Sequence, residues 1–126
     1  MVERRTVSSG SKWEPVVGYS RAVRVGNIIS VSGTVGTAAD GSIPSDAYSQ
    51  ARNALEIIRR ALEEVGARLE DVVRTRMFVT DIRRFDEIAR AHCEVFGAIR
   101  PATTMVEVTR LVDPAYLIEI EADAVV

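Results

Sequence analysis

Glu119 and Glu121 stand two residues apart in a β-rich stretch, so their carboxylates share one face of a strand. Glu107, in the β-rich stretch before it, is placed to approach them from a neighbouring strand. Such a group invites a divalent-metal site or a paired-carboxylate acid and base. The rival reading is electrostatic: carboxylates at the rim of an oligomer commonly meet arginines, and Arg52, Arg74 and Arg76 are on offer. Nucleophilic chemistry has thinner support. Ser32 precedes Gly33, but no histidine follows at a triad-like place, and a hydrogen-bonded strand hydroxyl accounts for it. The single histidine, His92, falls on the apolar stripe of a predicted helix, where packing explains it better than acid–base work. Cys93 is the only cysteine, which excludes an internal disulfide and a cysteine-built zinc site, and no basic neighbour activates its thiol. Tyr19 serves either as a donor to a ligand oxygen or as a cap over a cleft.

These residues need elements to hold them. Arg21–Val25 and Ile28–Gly33 are β-rich runs around Gly26-Asn27, the pattern of a hairpin, and Ile28, Ser30 and Ser32 share the face opposite Ile29 and Val31. That hydroxyl-bearing face is suited to line a cavity. Beyond a loop from Thr37 to Pro44, a helix is expected from about Asp46 with Ser45 as N-cap. Its stripe of Ala47, Ala51, Ala54, Leu55, Ile58, Ala61, Leu62 and Val65 ends before Gly66, a fitting C-terminal glycine. Val72–Val79 reads as a strand with Val73, Thr75, Met77 and Val79 on one side and Arg74, Arg76 and Phe78 on the other. A second helix is expected from about Arg84 through Phe96, closed by Gly97 and Pro101. Thr103–Val108 and Leu117–Val125 follow, and the Asp113-Pro114 turn between them suggests that they pair as a hairpin. The order predicts a mixed sheet with two helices on one face, its other face awaiting another subunit.

A chain of 126 residues fits one domain, Met1–Val126, and buries only about two-thirds of its unfolded surface, so association would help it. The formal net charge of -2 gives no footprint for nucleic acid. Met1–Lys12 is basic and hydroxyl-bearing without the apolar run of a signal peptide, and no stretch approaches the ~20 apolar residues of a membrane span. A cytoplasmic location, no nucleic-acid partner and no membrane partner are the expectations.

Several segments fall in register with these elements: Gly18-Tyr19, Gly26-Asn27 with Val31-Ser32-Gly33, Gln50-Ala51-Arg52-Asn53-Ala54-Leu55, Phe78-Val79-Thr80-Asp81, Pro101-Ala102-Thr103, Val106-Glu107-Val108 and Ile118-Glu119-Ile120-Glu121-Ala122. Their order and spacing resemble the YjgF/RidA family, also known as YjgF/YER/UK or L-PSP endoribonuclease, over nearly the whole chain. The resemblance implies an α+β, chorismate mutase-like fold: a mixed six-stranded sheet with two helices on one face, assembled as a homotrimer with a barrel-like interior. It also implies small-molecule clefts at the subunit interfaces, enamine or imine deaminase chemistry, and no cofactor.

By register with the family, Tyr19, Ser32, Thr103 and Glu119 are cleft residues, and Glu119 is the candidate to position a water for attack on a C=N bond. Active deaminases carry an arginine just after Pro-Ala that grips a substrate carboxylate with two prongs, and here that place is Thr103. Many relatives have a cysteine two residues further on; Met105 replaces it with a soft apolar wall. Arg76, near the middle of the sheet, is a candidate to supply a guanidinium from another direction. The resemblance thus points to a hydrolase of carbonyl, imine or enamine compounds with a non-canonical substrate. The alternatives are a non-enzymatic metabolite-binding or regulatory trimer and, against the acidic composition, an endoribonuclease or translation inhibitor.

Overall fold

Asp46, not Ser45, starts the first long helix: its carboxylate accepts a hydrogen bond from the Ser49 N–H at 2.8 Å while its own backbone stays extended. In the computed structural model, which describes residues 2–126, this helix runs Ala47–Glu64. It stops at Val65, and Gly66 follows with φ +79°, a left-handed conformation that glycine adopts without a Cβ penalty. Its inward stripe is rich in alanine, with Ala47, Ala51 and Ala54 fully buried, so the helix axis sits close to the sheet.

In chain order the elements are β1 (Arg4–Val7), α1 (Trp13–Val17), β2 (Ala22–Val25), β3 (Ile28–Val35), α2 (Ala47–Glu64), β4 (Val72–Val79), α3 (Phe85–Phe96), β5 (Ala102–Glu107) and β6 (Ile118–Val125). The strands form one six-stranded sheet in the order β1-β2-β3-β6-β4-β5, antiparallel except for β4 and β5. Both long helices pack on one face. Ile29, Val31, Met77, Val79, Ile118 and Ile120 meet Leu55, Ile58, Leu62, Ile88 and Phe96 there in a single core.

The expected β2–β3 hairpin forms around Gly26-Asn27, with Val25 opposite Ile28. The expected pairing of the last two strands does not. β5 lies parallel to β4, joined through α3 as a crossover, and β6 inserts between β3 and β4. The cause is visible in the side chains: β6 buries Ile118, Ile120, Ala122 and Ala124, a central-strand load, whereas β5 is mostly exposed and suits an edge. The Asp113 turn is present, its carboxylate accepting from the Ala115 N–H at 2.8 Å, but it redirects the chain across the sheet end.

Two further departures have local causes. Val73 was expected inward with Thr75, but it is an extra residue between the pairs Val72–Ala124 and Arg74–Asp123, and it is left 49% exposed. The sixth strand, β1, was invisible in the sequence because only Val7 of Arg4–Val7 is buried. Among the described residues no helix is long and apolar enough to cross a membrane.

The sheet face away from the helices is polar. Glu119, Glu121 and Asp123 alternate out of the core along β6, facing Phe78, Arg76 and Arg74 of β4 and Ser30 of β3.

Candidate active site

A bulge in β3 makes the site. Regular pairing with β6 breaks between Val31 and Thr34, so Ser32 and Gly33 stand off the ladder. Into the space left by the missing side chain of Gly33 folds the carboxylate of Glu119: an ideal Cβ at residue 33 would lie 2.9 Å from Glu119 Cδ. Only glycine leaves room for the carboxylate in this position.

Arg21, just ahead of β2, locks the bulge. Its Nη1 donates to the carbonyls of Ser32 at 3.2 Å and Gly33 at 2.9 Å and to Thr34 Oγ1 at 2.6 Å. Tyr19 arrives through a turn in which Gly18 adopts φ +86°, and its ring centroid lies 5.8 Å from the Arg21 guanidinium carbon. Tyr19, Arg21, Gly33 and Glu119 line a cavity of about 580 Å³, walled by Trp13 and Tyr116. The half-buried Glu119 carboxyl is pushed above its usual range, chiefly by burial; the positive charge of Arg21 pulls it back, and the negative charge of Glu121 pushes it further up.

Ser32 borders a different hollow of about 730 Å³, which it shares with Tyr19, Ser30, Glu121 and Asp123. Its hydroxyl donates to the Ser20 carbonyl at 2.6 Å. The sequence reading placed Ser30 and Ser32 on one cavity-lining face, and both line this hollow.

Thr103 and Met105 lie elsewhere. They face α3 and line an apolar pocket of about 380 Å³ with Phe85, His92, Cys93 and Arg100. Thr103 Oγ1 donates to the Pro101 carbonyl at 3.2 Å and also meets Thr75 Oγ1 at 2.8 Å, and Thr75 Oγ1 meets His92 Nε2 at 2.9 Å. A hydroxyl has one proton, so the chain closes only if His92 Nε2–H donates to Thr75, Thr75 to Thr103, and Thr103 to Pro101. Burial lowers the His92 pKa and favours the neutral ring, and in that form the relay places the proton on Nε2. The Thr103 hydroxyl then has no proton left for a ligand. Within one chain no residue lines both this pocket and the Glu119 cavity.

Arg76 is engaged on the polar sheet face, its Nη1 3.1 Å from Glu121 and 3.2 Å from Asp123. Of Arg52, Arg74 and Arg76, it alone forms an ion pair among the described residues. Glu107 does not join the β6 carboxylates: β4 separates them, and Glu107 accepts instead from the Ile82 N–H at 3.0 Å. Cys93 is exposed. Arg21 is the site residue that the sequence does not single out; its position two after Tyr19 and just ahead of an inward Ala22 is the available signal.

Gln50, within another of the segments in register, is structural. Fully buried, it donates to the carbonyls of Pro44 at 2.7 Å and Ala115 at 2.9 Å and accepts from the Leu117 N–H at 2.8 Å, fixing both loops that flank the cavity to α2.

Residues 10–126 match the family model described as Endoribonuclease L-PSP. The crystal structure of Rv2704 from Mycobacterium tuberculosis, described as a member of the YjgF/YER057c/UK114 family, superimposes with a TM-score of 0.92 at 52% identity, covering 98% of this chain and 100% of that one. The 2-iminobutanoate/2-iminopropanoate deaminase of Escherichia coli is 32% identical over 125 residues, 96% of this chain and 97% of its own. Escherichia coli TdcF, solved with bound serine, gives a TM-score of 0.82 at 28% identity over 96% of this chain and 93% of that one.

Proposed function

The chain belongs to the Endoribonuclease L-PSP family, the YjgF/RidA family, and from that membership and the Glu119 cavity we propose that it hydrolyses enamines or imines in clefts shared between copies of a homotrimer. The observation that carries this reading is the carboxyl of Glu119, half-buried, raised in pKa and held over a side-chain-free glycine at the wall of a ligand-sized cavity. A carboxylate with a raised pKa is a stronger base toward a bound water than an ordinary one.

The chemistry balances with that one group. Water held by Glu119 attacks the C=N carbon, and the carboxylate accepts the proton that water gives up. Glu119 returns that proton to nitrogen to give a neutral carbinolamine, then takes the carbinolamine hydroxyl proton and delivers it to the same nitrogen as the C–N bond breaks, so that ammonia leaves and the carbonyl forms. Tyr19 is the proposed donor to the developing oxygen, with the backbone of the Ser32-Gly33 bulge beside it.

The separation of the Glu119 cavity from the Thr103 and Met105 pocket supports a cleft completed across subunits, one chain offering Glu119 and Tyr19, its neighbour Met105 and Thr103. The spent hydroxyl of Thr103 means that a substrate carboxylate is not gripped from position 103, where the family arginine would stand. An RNA-cleaving role has little to stand on: the net charge is -2, and His92 lies in the other pocket.

Purified protein incubated with imines freshly generated from several amino acids should release ammonia faster than buffer. Glu119→Gln should reduce that release by about 100-fold or more. Release no faster than the buffer blank, or an unimpaired Glu119→Gln, would remove the reading.

A further inference from the structure

Resting on the proposed hydrolysis, we infer that Arg21 holds the carboxylate of the ligand in the Glu119 cavity, so that the chain takes 2-oxo and 2-imino acids with apolar side chains through a guanidinium placed at position 21. The geometry carries this in three ways. Arg21 is half-buried, yet among the described residues no carboxylate lies within ion-pair distance of it. The carboxylates of Glu119 and Glu14 feel its charge only from beyond ion-pair distance, so the guanidinium is left without a directly paired anion.

The guanidinium is also already oriented. Nη1 is bound by three acceptors of the bulge, while Nε and Nη2 make no hydrogen bond among the described residues. Those two nitrogens form one edge of the planar fork, the edge that meets both oxygens of a carboxylate. Because the anchor is the bulge itself, the clamp is held in fixed relation to Gly33 and to Glu119.

The remaining walls set the rest of the ligand. Trp13, Val35, Val112 and Tyr116 surround the same cavity, and its volume of about 580 Å³ exceeds the needs of a two- or three-carbon acid. A carboxylate on Arg21 leaves the neighbouring C=N or C=O carbon near Glu119 and turns an aliphatic or aromatic side chain toward these walls.

Trp13, the only tryptophan, is a built-in reporter. The probes are 4-methyl-2-oxopentanoate and its methyl ester, titrated against the full-length protein and followed by Trp13 fluorescence. Wild type should bind the acid at least about 10-fold more tightly than the ester, and Arg21→Gln should weaken the acid about 10- to 100-fold more than it weakens the ester. Arg21→Lys, which keeps the charge and loses the fork, should weaken the acid by about several-fold, and it serves as the test if Arg21→Gln fails to fold. Equal binding of acid and ester by wild type, or binding of the acid unaltered in Arg21→Gln or Arg21→Lys, overturns the inference.

Glu119→Gln separates the two readings, because it should still bind the oxo acid through Arg21 while releasing no ammonia from the imine. Arg21-dependent binding in a wild type that turns nothing over would leave the clamp and remove the hydrolysis. Turnover with Arg21-independent binding would do the reverse.

Discussion

Replacing Gly33 by alanine puts a methyl group where the Glu119 carboxylate now lies. The new Cβ would fall 2.9 Å from Glu119 Cδ and 3.2 Å from its Cγ, too close for either to stay. The obstruction is the end of a flexible side chain beside an open cavity, so the carboxylate can swing aside. The expected stability loss is therefore at the low end for overpacking, about 1 kcal/mol, or about 4 °C in Tm for a domain of this size. Function should fare worse, because displacing a reacting group by about 1 Å costs on the order of 100-fold in rate. Gly36→Ala is the matched control. There the added Cβ would meet the main chain of buried α2, 2.5 Å from Gln50 C and 2.6 Å from its Cα, and neither can yield. That variant should lose about 3 kcal/mol or more. The assay pairs thermal unfolding with kcat/KM for imine hydrolysis. A Gly33→Ala protein with wild-type kcat/KM would refute the claim that the vacancy at residue 33 positions the carboxylate.

Two other predictions concern titration and the buried relay. Folded Glu119 keeps its proton to higher pH than the unfolded chain, so stability falls as pH rises from about 4.5 through the raised value; the Tm gap of Glu119→Gln over wild type should be larger at pH 8 than at pH 4, and a flat gap would contradict it. Thr75→Val removes the hydroxyl between His92 Nε2 and Thr103 Oγ1, and urea unfolding should show a loss of about 1 to 3 kcal/mol, whereas a neutral change would mean that the relay contributes nothing.

The sequence was most legible where burial is periodic. The stripe of α2 and the alternation of β3 and β6 each report one buried face and appear as read, whereas α3 buries Ile88, Ala91 and Phe96 and leaves Phe85, expected on its apolar stripe, exposed. Strand neighbours were harder: β5 and β6 are joined by a turn that looks like a hairpin connection, and the decision against pairing lies in how heavily β6 is buried, a property of the whole sheet. Side-chain alternation also cannot announce a bulge, so Val73 was assigned to the wrong face and the Ser32–Gly33 break went unnoticed. At the site, Glu119 and Tyr19 were named from register and share a cavity, while Thr103 and Met105 line another. Arg21 was overlooked because its importance comes from three acceptors supplied by a bulge that periodicity does not encode.

Subunit complementation tests most directly whether the cleft is assembled from two chains. Glu119→Gln and Met105→Trp each disable one half of the cleft and should each be inactive alone. Unfolded together in equal amounts and refolded, they should regain about a quarter of the wild-type activity, the share of intact clefts in randomly mixed cyclic trimers. Mixed trimers as inactive as the parents would show that each chain carries its whole site by itself, contrary to this account.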